Sequence, residues 1–155
     1  MRWLWILLFL SCCGYSIRSP IPPYLRSIAI PIAENRTVRP GLSELLTETL
    51  IQDFKRDGRL KITKPEEATL VLYTTITNFE KSPQEYDASQ NVYLWKITIE
   101  AQIDCEDRVK ESTYWKGPIS AWISYDPSKE SEDEGIKKAI EKLSEEITRK
   151  ILTSW

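Results

Sequence analysis

The side chains that most enzymes use for chemistry are scarce in this sequence. Its 155 residues include no histidine, three cysteines and five glycines. Without an imidazole there can be no serine–histidine triad, no cysteine–histidine dyad and no histidine metal site. The glycines form neither a phosphate-binding loop nor a dinucleotide-binding loop. The composition therefore argues against an enzyme, and it indicates no metal and no cofactor.

Paired carboxylates are the remaining groups that could do acid–base work, as they do in glycosidases. The sequence has two adjacent pairs, Glu66 with Glu67 and Glu145 with Glu146. The first pair lies in a predicted turn, and the second lies on the polar side of a predicted helix. Carboxylates in such places are normally solvated surface groups. We expect neither pair to be catalytic.

The N-terminal stretch MRWLWILLFLSCCGYSIRSP has the layout of an export signal. Arg2 is followed by apolar residues from Trp3 to Leu10, and then by small residues and two cysteines. This apolar run is too short for a membrane-spanning helix, which needs about twenty residues. A signal that ends in cysteine is typical of a bacterial lipoprotein, in which the cysteine is acylated, for example with palmitate, and becomes the first mature residue.

Either of the adjacent cysteines could carry the lipid. Cys13 places Leu10 and Ser11 where a lipoprotein signal expects them, whereas Cys12 keeps Ser11 directly before the cut but fits less well upstream. An ordinary secretory signal with two incidental cysteines is the third reading. The pattern favours Cys13 as the lipidation site. Only Cys105 would then remain in the domain, so no internal disulfide could form.

These readings divide the chain into three parts. Residues 1–12 are the signal peptide, residues 13–24 are a lipidated N-terminus with a proline-rich tether, and residues 25–155 are a single domain. Charge is distributed unevenly, because residues 18–64 carry nine basic and five acidic side chains whereas residues 65–155 carry eleven and eighteen. One part of the surface could attract an anionic ligand. Ordinary solvated faces explain the same counts.

The first half of the domain is predicted to be a strand, a helix and a short strand. Residues 25–32 alternate, with Ile28, Ile30 and Ile32 on one face. Asn35 and Thr37 are expected to hold the turn that follows. Pro40 suits the first helical position and Gly58 lies beyond the helix end. The helical stripe comprises Leu42, Leu45, Leu46, Leu50 and Phe54. With a short strand at 60–63, this order predicts a parallel crossover unit.

The middle of the chain is predicted to form long strands. Residues 68–79 are rich in β-branched and aromatic side chains, residues 80–91 are predicted to be a polar loop, and a strand around 109–125 is expected to be irregular at Gly117 and Pro118. Residues 93–106 alternate most clearly. The face predicted to be buried comprises Tyr93, Trp95, Ile97, Ile99, Ala101, Ile103 and Cys105.

A second amphipathic helix ends the chain. Ser131 and Glu134 have the spacing of a capping box. An apolar stripe follows at Ile136, Ala139, Ile140, Leu143, Ile147 and Ile151. The fold class is therefore α+β, a two-layer sandwich of a mixed, twisted sheet of about four strands with two long helices packed on one face. Trp115 and Trp122 are either covered by a helix or, if exposed near an edge, candidate anchors for a protein interface.

Several quoted stretches together resemble the LptE family of lipopolysaccharide-assembly lipoproteins. They are CGYSIR, IAIPIAENRTVRPGLSELLTETLIQDFKRDGRLKI and EEATLVLYTTITNFEKSPQEYD, followed by the alternating strand. The likeness covers nearly the whole mature chain; it is strongest over residues 28–87 and weakest over 104–130. The family's Cys-Gly-[Tyr/Trp] start maps onto Cys13, Gly14 and Tyr15, which again favours Cys13.

The resemblance implies a non-enzymatic, lipid-anchored protein of the outer membrane, with its domain facing the periplasm or lying inside a barrel. Family members occupy the lumen of the β-barrel LptD, help it to assemble and help to insert lipopolysaccharide into the outer leaflet. The implied partners are LptD, lipopolysaccharide and the membrane, with no nucleic acid. Lipopolysaccharide phosphates require cations. The candidate contacts, by charge alone, are Arg26, Arg36, Arg39, Lys55, Arg56, Arg59 and Lys61.

Other envelope lipoproteins share part of this pattern. IAIPIAENRT is also similar to the first strand and turn of activators of peptidoglycan synthases and of curli-type secretion-channel lipoproteins. A binding module or activator for another envelope machine is therefore the alternative function. A periplasmic carrier of small ligands would require a sizeable apolar cavity, which a sequence does not reveal.

Overall fold

One open mixed sheet carries two parallel helices on a single face. The computed structural model describes residues 21–154, so the predicted signal peptide, Cys12 and Cys13 lie outside the described residues. The helices are α1 (Leu42–Asp57) and α2 (Glu132–Leu152). The strands are β1 (Ser27–Ala29), β2 (Glu34–Asn35), β3 (Lys61–Ile62), β4 (Leu70–Tyr86), β5 (Val92–Asp107) and β6 (Ser112–Tyr125).

The sheet has the order β3-β1-β4-β5-β6, and β2 pairs with β4 off this path. Strand β1 is parallel to both β3 and β4, whereas β4, β5 and β6 form an antiparallel meander. The predicted parallel crossover is confirmed, because Ser27 pairs with Lys61 across α1. The prediction of about four strands is wrong, since the sheet has six. Strands of two residues, such as β2, are too short to leave a periodic pattern in a sequence.

The predicted polar loop at 80–91 is also wrong. Strand β4 continues to Tyr86, β5 begins at Val92, and the two pair up to the Tyr86–Val92 register. Only residues 87–91 turn, and the Asp87 Oδ1 accepts hydrogen bonds from the Ser89 and Asn91 amides at 2.8 and 2.9 Å. This part of β4 carries polar side chains on both faces, so the alternation that marks a half-buried strand is absent.

Helix α1 buries the predicted stripe. Leu42, Leu46, Leu50 and Phe54 are fully buried, and Leu45 packs against the core from the rim. Pro40 is not the first helical residue, because Gly41 is the N-cap and the helix begins at Leu42. Gly58 follows the helix with φ of 75°, the left-handed conformation that glycine adopts without strain.

Helix α2 begins with the predicted capping box, in which Ser131 and Glu134 bond reciprocally to each other's backbone amides. The whole predicted stripe is buried. Close approach to the sheet requires a glycine at position 135, since a Cβ there would lie 3.1 Å from the Tyr125 ring. The capping box therefore defines the start of α2, as Gly58 defines the end of α1.

The strand faces agree with the prediction in the centre of the sheet and differ at its ends. Ile97, Ile99, Ala101, Ile103 and Cys105 are fully buried under the helices, as predicted. Tyr93 and Ile32 were predicted to be buried but are 41% and 78% exposed. Tyr93 lies where β5 extends past the end of β6, and Ile32 follows β1, which ends at Ala29. Trp95 is only half-buried.

Strand β6 is regular at the positions where irregularity was predicted. Gly117 pairs with Ile103 and Pro118 pairs with Gln102 without a register shift, and the shift lies instead opposite Cys105 and Glu106. Proline is compatible with this strand because β6 is an edge of the sheet, where an amide hydrogen can be missing without breaking a ladder.

Candidate functional site

The molecule has two ends along the strand direction, and they differ in composition. The tether end comprises segments 21–26, 55–69, 106–111 and 145–154, where the described chain begins and both helices finish. The hairpin end comprises segments 32–44, 80–94 and 126–138, which include the β4–β5 turn and both helix N-termini. The tether-end segments carry ten basic and eight acidic residues, whereas the hairpin-end segments carry six and ten.

The N-terminal segment is fixed to the tether end by a buried carboxylate. The Tyr24 hydroxyl donates to Asp107 Oδ2 at 3.0 Å. The other oxygen of Asp107 accepts from the Val109 and Lys110 amides, each at 2.9 Å. Leu25 is buried beside this contact. Asp107 therefore joins the start of the domain to the β5–β6 turn and sets the point where the preceding chain leaves.

The seven cations proposed for lipopolysaccharide do not form one site. Arg36 and Arg39 lie at the hairpin end. The other five lie at the tether end, and they are Arg26, Lys55, Arg56, Arg59 and Lys61. Sequence order could not show this division, because the parallel crossover brings α1's C-terminus back to the start of β1.

At the hairpin end, carboxylates neutralise both predicted cations. Arg36 pairs with Glu34 at 3.0 Å. Arg39 bridges to α2, with its guanidinium 3.1 Å from Glu132 and 2.7 Å from Asp133. Lys81 also binds Glu132, at 2.5 Å, and this hydrogen bond lowers the pKa of the glutamate and raises that of the lysine. These ion pairs join the β2–α1 segment, β4 and α2.

At the tether end, a cleft of about 400 Å³ separates the C-terminal ends of the two helices. Arg56 binds Asp53 at 3.1 Å and Arg59 binds Asp57 at 2.7 Å. The charged residues that line this cleft are Asp53, Arg56, Asp57, Arg59, Glu145 and Arg149. Three cations facing three carboxylates make the lining neutral, so the cleft does not select an anion by net charge.

A buried polar contact, not foreseen from the sequence, joins the two helices. The Ser144 hydroxyl donates to Asp53 Oδ2 at 2.6 Å, and both residues are buried. A buried carboxylate requires such partners, because an unsatisfied one is costly. Asp53 and Ser144 occupy polar positions beside the apolar stripes of their helices, and that placement is the one sequence signal for the contact.

The second face of the sheet is not covered by a helix, and we call it the open sheet face. It presents mostly polar side chains, which include Thr75, Thr98, Glu100, Gln102, Asp104 and Ser120. Trp122 lies on this face, 47% exposed, with the ammonium groups of Lys96 and Lys142 each 4.9 Å from its ring. Trp115, by contrast, packs against the core. Of the two tryptophans considered as interface anchors, Trp122 is exposed and Trp115 is half-buried.

The remaining reactive group is Cys105, which is fully buried. Burial, with a smaller contribution from the carboxylates of Asp104, Asp107 and Glu106, raises the pKa of its thiol to about 12. Such a thiol is not a nucleophile near neutral pH. Within residues 21–154 there is no group of side chains suited to hold a metal ion, and no helix is long and apolar enough to cross a membrane.

The arrangement of two helices on one face of an open mixed sheet is shared with several bacterial proteins of solved structure. A minor lipoprotein from Acinetobacter baumannii aligns with a TM-score of 0.55 and 15% identity, over 83% of this chain and 91% of its own. The hypothetical protein CT253 from Chlamydia trachomatis aligns with a TM-score of 0.62 and 13% identity, over 82% and 95%. PelC from Paraburkholderia phytofirmans, a dodecamer, aligns with a TM-score of 0.57 and 10% identity, over 81% of this chain and 87% of its own. At identities this low, the structural similarity shows that these proteins share a fold with this chain.

The family is shown by the sequence itself. The family described as "LptE: Lipopolysaccharide-assembly" matches residues 25–154, which is nearly the whole described chain. The chain therefore belongs to the LptE family, and the resemblance found in its motifs is confirmed. This is a non-enzymatic family of lipoproteins. No curated protein matches the sequence significantly.

Proposed function

We propose that this protein is a non-enzymatic outer-membrane lipoprotein that plugs the LptD β-barrel, helps it to assemble and assists the insertion of lipopolysaccharide into the outer leaflet. Cys13 carries the lipid, and the domain faces the periplasm or lies within the barrel lumen. The family match over residues 25–154 is the observation that carries this proposal.

The open sheet face supports a barrel partner. The lumen of a large outer-membrane barrel is polar, and this face presents hydroxyl, amide and carboxylate groups with no helix packed on it. Trp122 adds a large exposed ring at the edge of the face. Tyr73, 39% exposed, lies on the same face, and aromatic residues are enriched in protein interfaces.

The lipid anchor strengthens the same interaction. A tethered domain meets a membrane-embedded barrel at a high effective concentration, so each contact can be weak and the complex can still be stable. Lipopolysaccharide contact is the less specific part of the proposal. Of the seven candidate cations, Arg36, Arg39, Arg56 and Arg59 are held in ion pairs, which leaves Arg26, Lys55 and Lys61 at the tether end.

The decisive experiment is affinity purification of the lipidated protein from envelopes in mild detergent, followed by mass spectrometry. We expect a large β-barrel protein to be recovered with it in stoichiometric amount. Cys13→Ser should release the protein from membranes, whereas Cys12→Ser should not; the reverse result would move the lipid to Cys12. Recovery of a peptidoglycan synthase or a secretion channel, with no barrel, would replace this function by that of a binding module for another envelope machine.

A matched pair of variants tests the face that meets the barrel. Gln102 lies on the open sheet face, and Gln52 is exposed on α1. Gln102→Arg should lower barrel recovery at least about tenfold because it places a larger, charged side chain in the interface. Gln52→Arg makes the same chemical change outside that face and should leave recovery unchanged. Equal losses in the two variants would show that the open sheet face is not the contact.

A further inference from the structure

Six exposed cations at the tether end have no carboxylate partner. Among the described residues none of them is within salt-bridge distance of an acid. They are Arg26, Lys55, Lys61, Lys64, Lys110 and Lys150. The hairpin end differs, because most of its cations are paired there with Glu34, Glu130, Glu132, Asp133 or Asp126.

An apolar side chain projects from the same end of the molecule. Val109 is 57% exposed at the tip of the β5–β6 turn, between Arg108 and Lys110. The Lys110 ammonium lies 4.6 Å above the ring of Tyr24, the residue that fixes the N-terminal segment to this turn. Arg108 is paired with Glu106 at 3.3 Å, so Lys110 is the cation beside this apolar tip that can meet a lipid phosphate while the tip enters the headgroup layer.

The cations border the point where the chain leaves the domain. Lys61 is opposite Ser27 in the sheet, and Lys64 follows the end of β3, which runs parallel to β1 and therefore away from this edge. The strand ends from β3 to β5 span about 15 Å, given the usual spacing of neighbouring strands. Arg26, Lys61 and Lys110 lie along this row of strand ends, which one flat surface can face.

We infer that the tether end binds the anionic phospholipid headgroups of the membrane to which the protein is anchored. This inference rests on the proposed lipidation of Cys13. Only eight residues, 13–20, separate that cysteine from the described chain, and at about 3.5 Å per residue they reach less than about 30 Å. The short reach keeps the tether end close to the headgroups, and the acidic hairpin end points away from them.

Vesicle binding tests the inference without the acyl chains. The mature chain with Cys13→Ser is mixed with vesicles of phosphatidylcholine alone or with added phosphatidylglycerol, and bound protein is measured by flotation. We expect binding that requires the anionic lipid and weakens as salt is raised from low to physiological strength. The triple variant Lys61→Glu, Lys64→Glu, Lys110→Glu should lose about fivefold per lysine.

A matched lysine controls for net charge. Lys137 is exposed and unpaired but lies at the hairpin end, so Lys137→Glu should bind as the parent does. Thermal melts followed by circular dichroism check that each variant is folded, and Lys61→Gln gives a milder change at the same surface. Equal binding to neutral and anionic vesicles, or an unchanged triple variant, would overturn the inference.

Two further outcomes separate this inference from the proposed function. Binding only to vesicles that contain lipopolysaccharide would show a lipopolysaccharide site, and the phospholipid inference would be wrong while the family role survives. If the protein bound no vesicles but a barrel were still recovered from envelopes, the phospholipid inference would be wrong and the proposed function would stand. As a positional readout, an environment-sensitive dye at Val109→Cys should shift to the blue on anionic vesicles, whereas the same dye at Asp87→Cys should not.

Discussion

The two faces of the sheet are built from the same strands but do different work. On the face covered by the helices, alternate residues of β5 from Ile97 to Cys105 have no exposed surface. On the open sheet face, the residues between them are polar and reach solvent. Stability is therefore concentrated on one side of the sheet, because apolar burial is the main favourable term in folding. The other side is free to vary in chemistry, which suits a surface that meets a partner.

The sharpest test of this difference substitutes adjacent residues. Ile99→Ala should lower the free energy of unfolding by about 2–5 kcal/mol, because it leaves a cavity under the helices. Thr98→Ala, one residue away on the open sheet face, should change it by less than about 0.5 kcal/mol. Urea unfolding followed by circular dichroism measures both. Similar losses for the two variants would show that the open sheet face also carries stability.

The rate at which a cysteine reacts also distinguishes the two faces of the sheet, because Cys105 lies on the covered face. With a thiol pKa of about 12, Cys105 should react with a maleimide at pH 8 at least about a thousand times more slowly than an unfolded thiol, since the thiolate is the nucleophile. Thr98→Cys should label rapidly in the same chain, with Cys12 and Cys13 absent or replaced. Intact-mass spectrometry counts the adducts. Rapid labelling of native Cys105 would contradict the assignment of the faces.

The helical layer depends on one buried polar pair. Asp53→Ala should cost about 1–3 kcal/mol in the free energy of unfolding, because the Ser144 hydroxyl loses its acceptor while remaining buried. Gln52→Ala, exposed on the neighbouring position of α1, is the control and should be close to neutral. If Asp53→Ala were neutral as well, packing of the apolar stripes alone would hold the two helices together.

The smallest expected effect lies where the covered face reaches solvent at the hairpin end. Lys81 lowers the pKa of Glu132 in the folded state below its ordinary value of 4.5. A carboxyl with a lowered folded pKa stabilises the fold above its unfolded pKa and loses that contribution as pH falls through the folded value. Between pH 6 and pH 3, Glu132→Gln should therefore remove a pH-dependent contribution below about 1 kcal/mol. If the free energy of unfolding depended on pH identically in parent and variant, the Lys81–Glu132 pair would make no such contribution.

Local signals in the sequence predicted the helices well. Gly58, the Ser131 capping box and both apolar stripes are confirmed, since a helix is defined by contacts within a few residues. The centre of β5 was predicted for a similar reason, as its alternation is continuous. The errors lie at 80–91, Ile32 and Tyr93. At these positions a strand is polar on both faces, or the regular strand ends before the alternating sequence does. Whether such residues form a strand depends on pairing with the neighbouring strand.

The candidate site was predicted only as a set of charges. Arg39 and Lys61 look alike in the sequence, yet one is held between two acids of α2 and the other is unpaired at the edge of the sheet. The sequence by itself determined the two helices, the central strands and the family, because periodicity, caps and motifs are local. The tertiary structure alone decided which cations are neutralised and which share the tether end, because those contacts join residues up to about ninety positions apart.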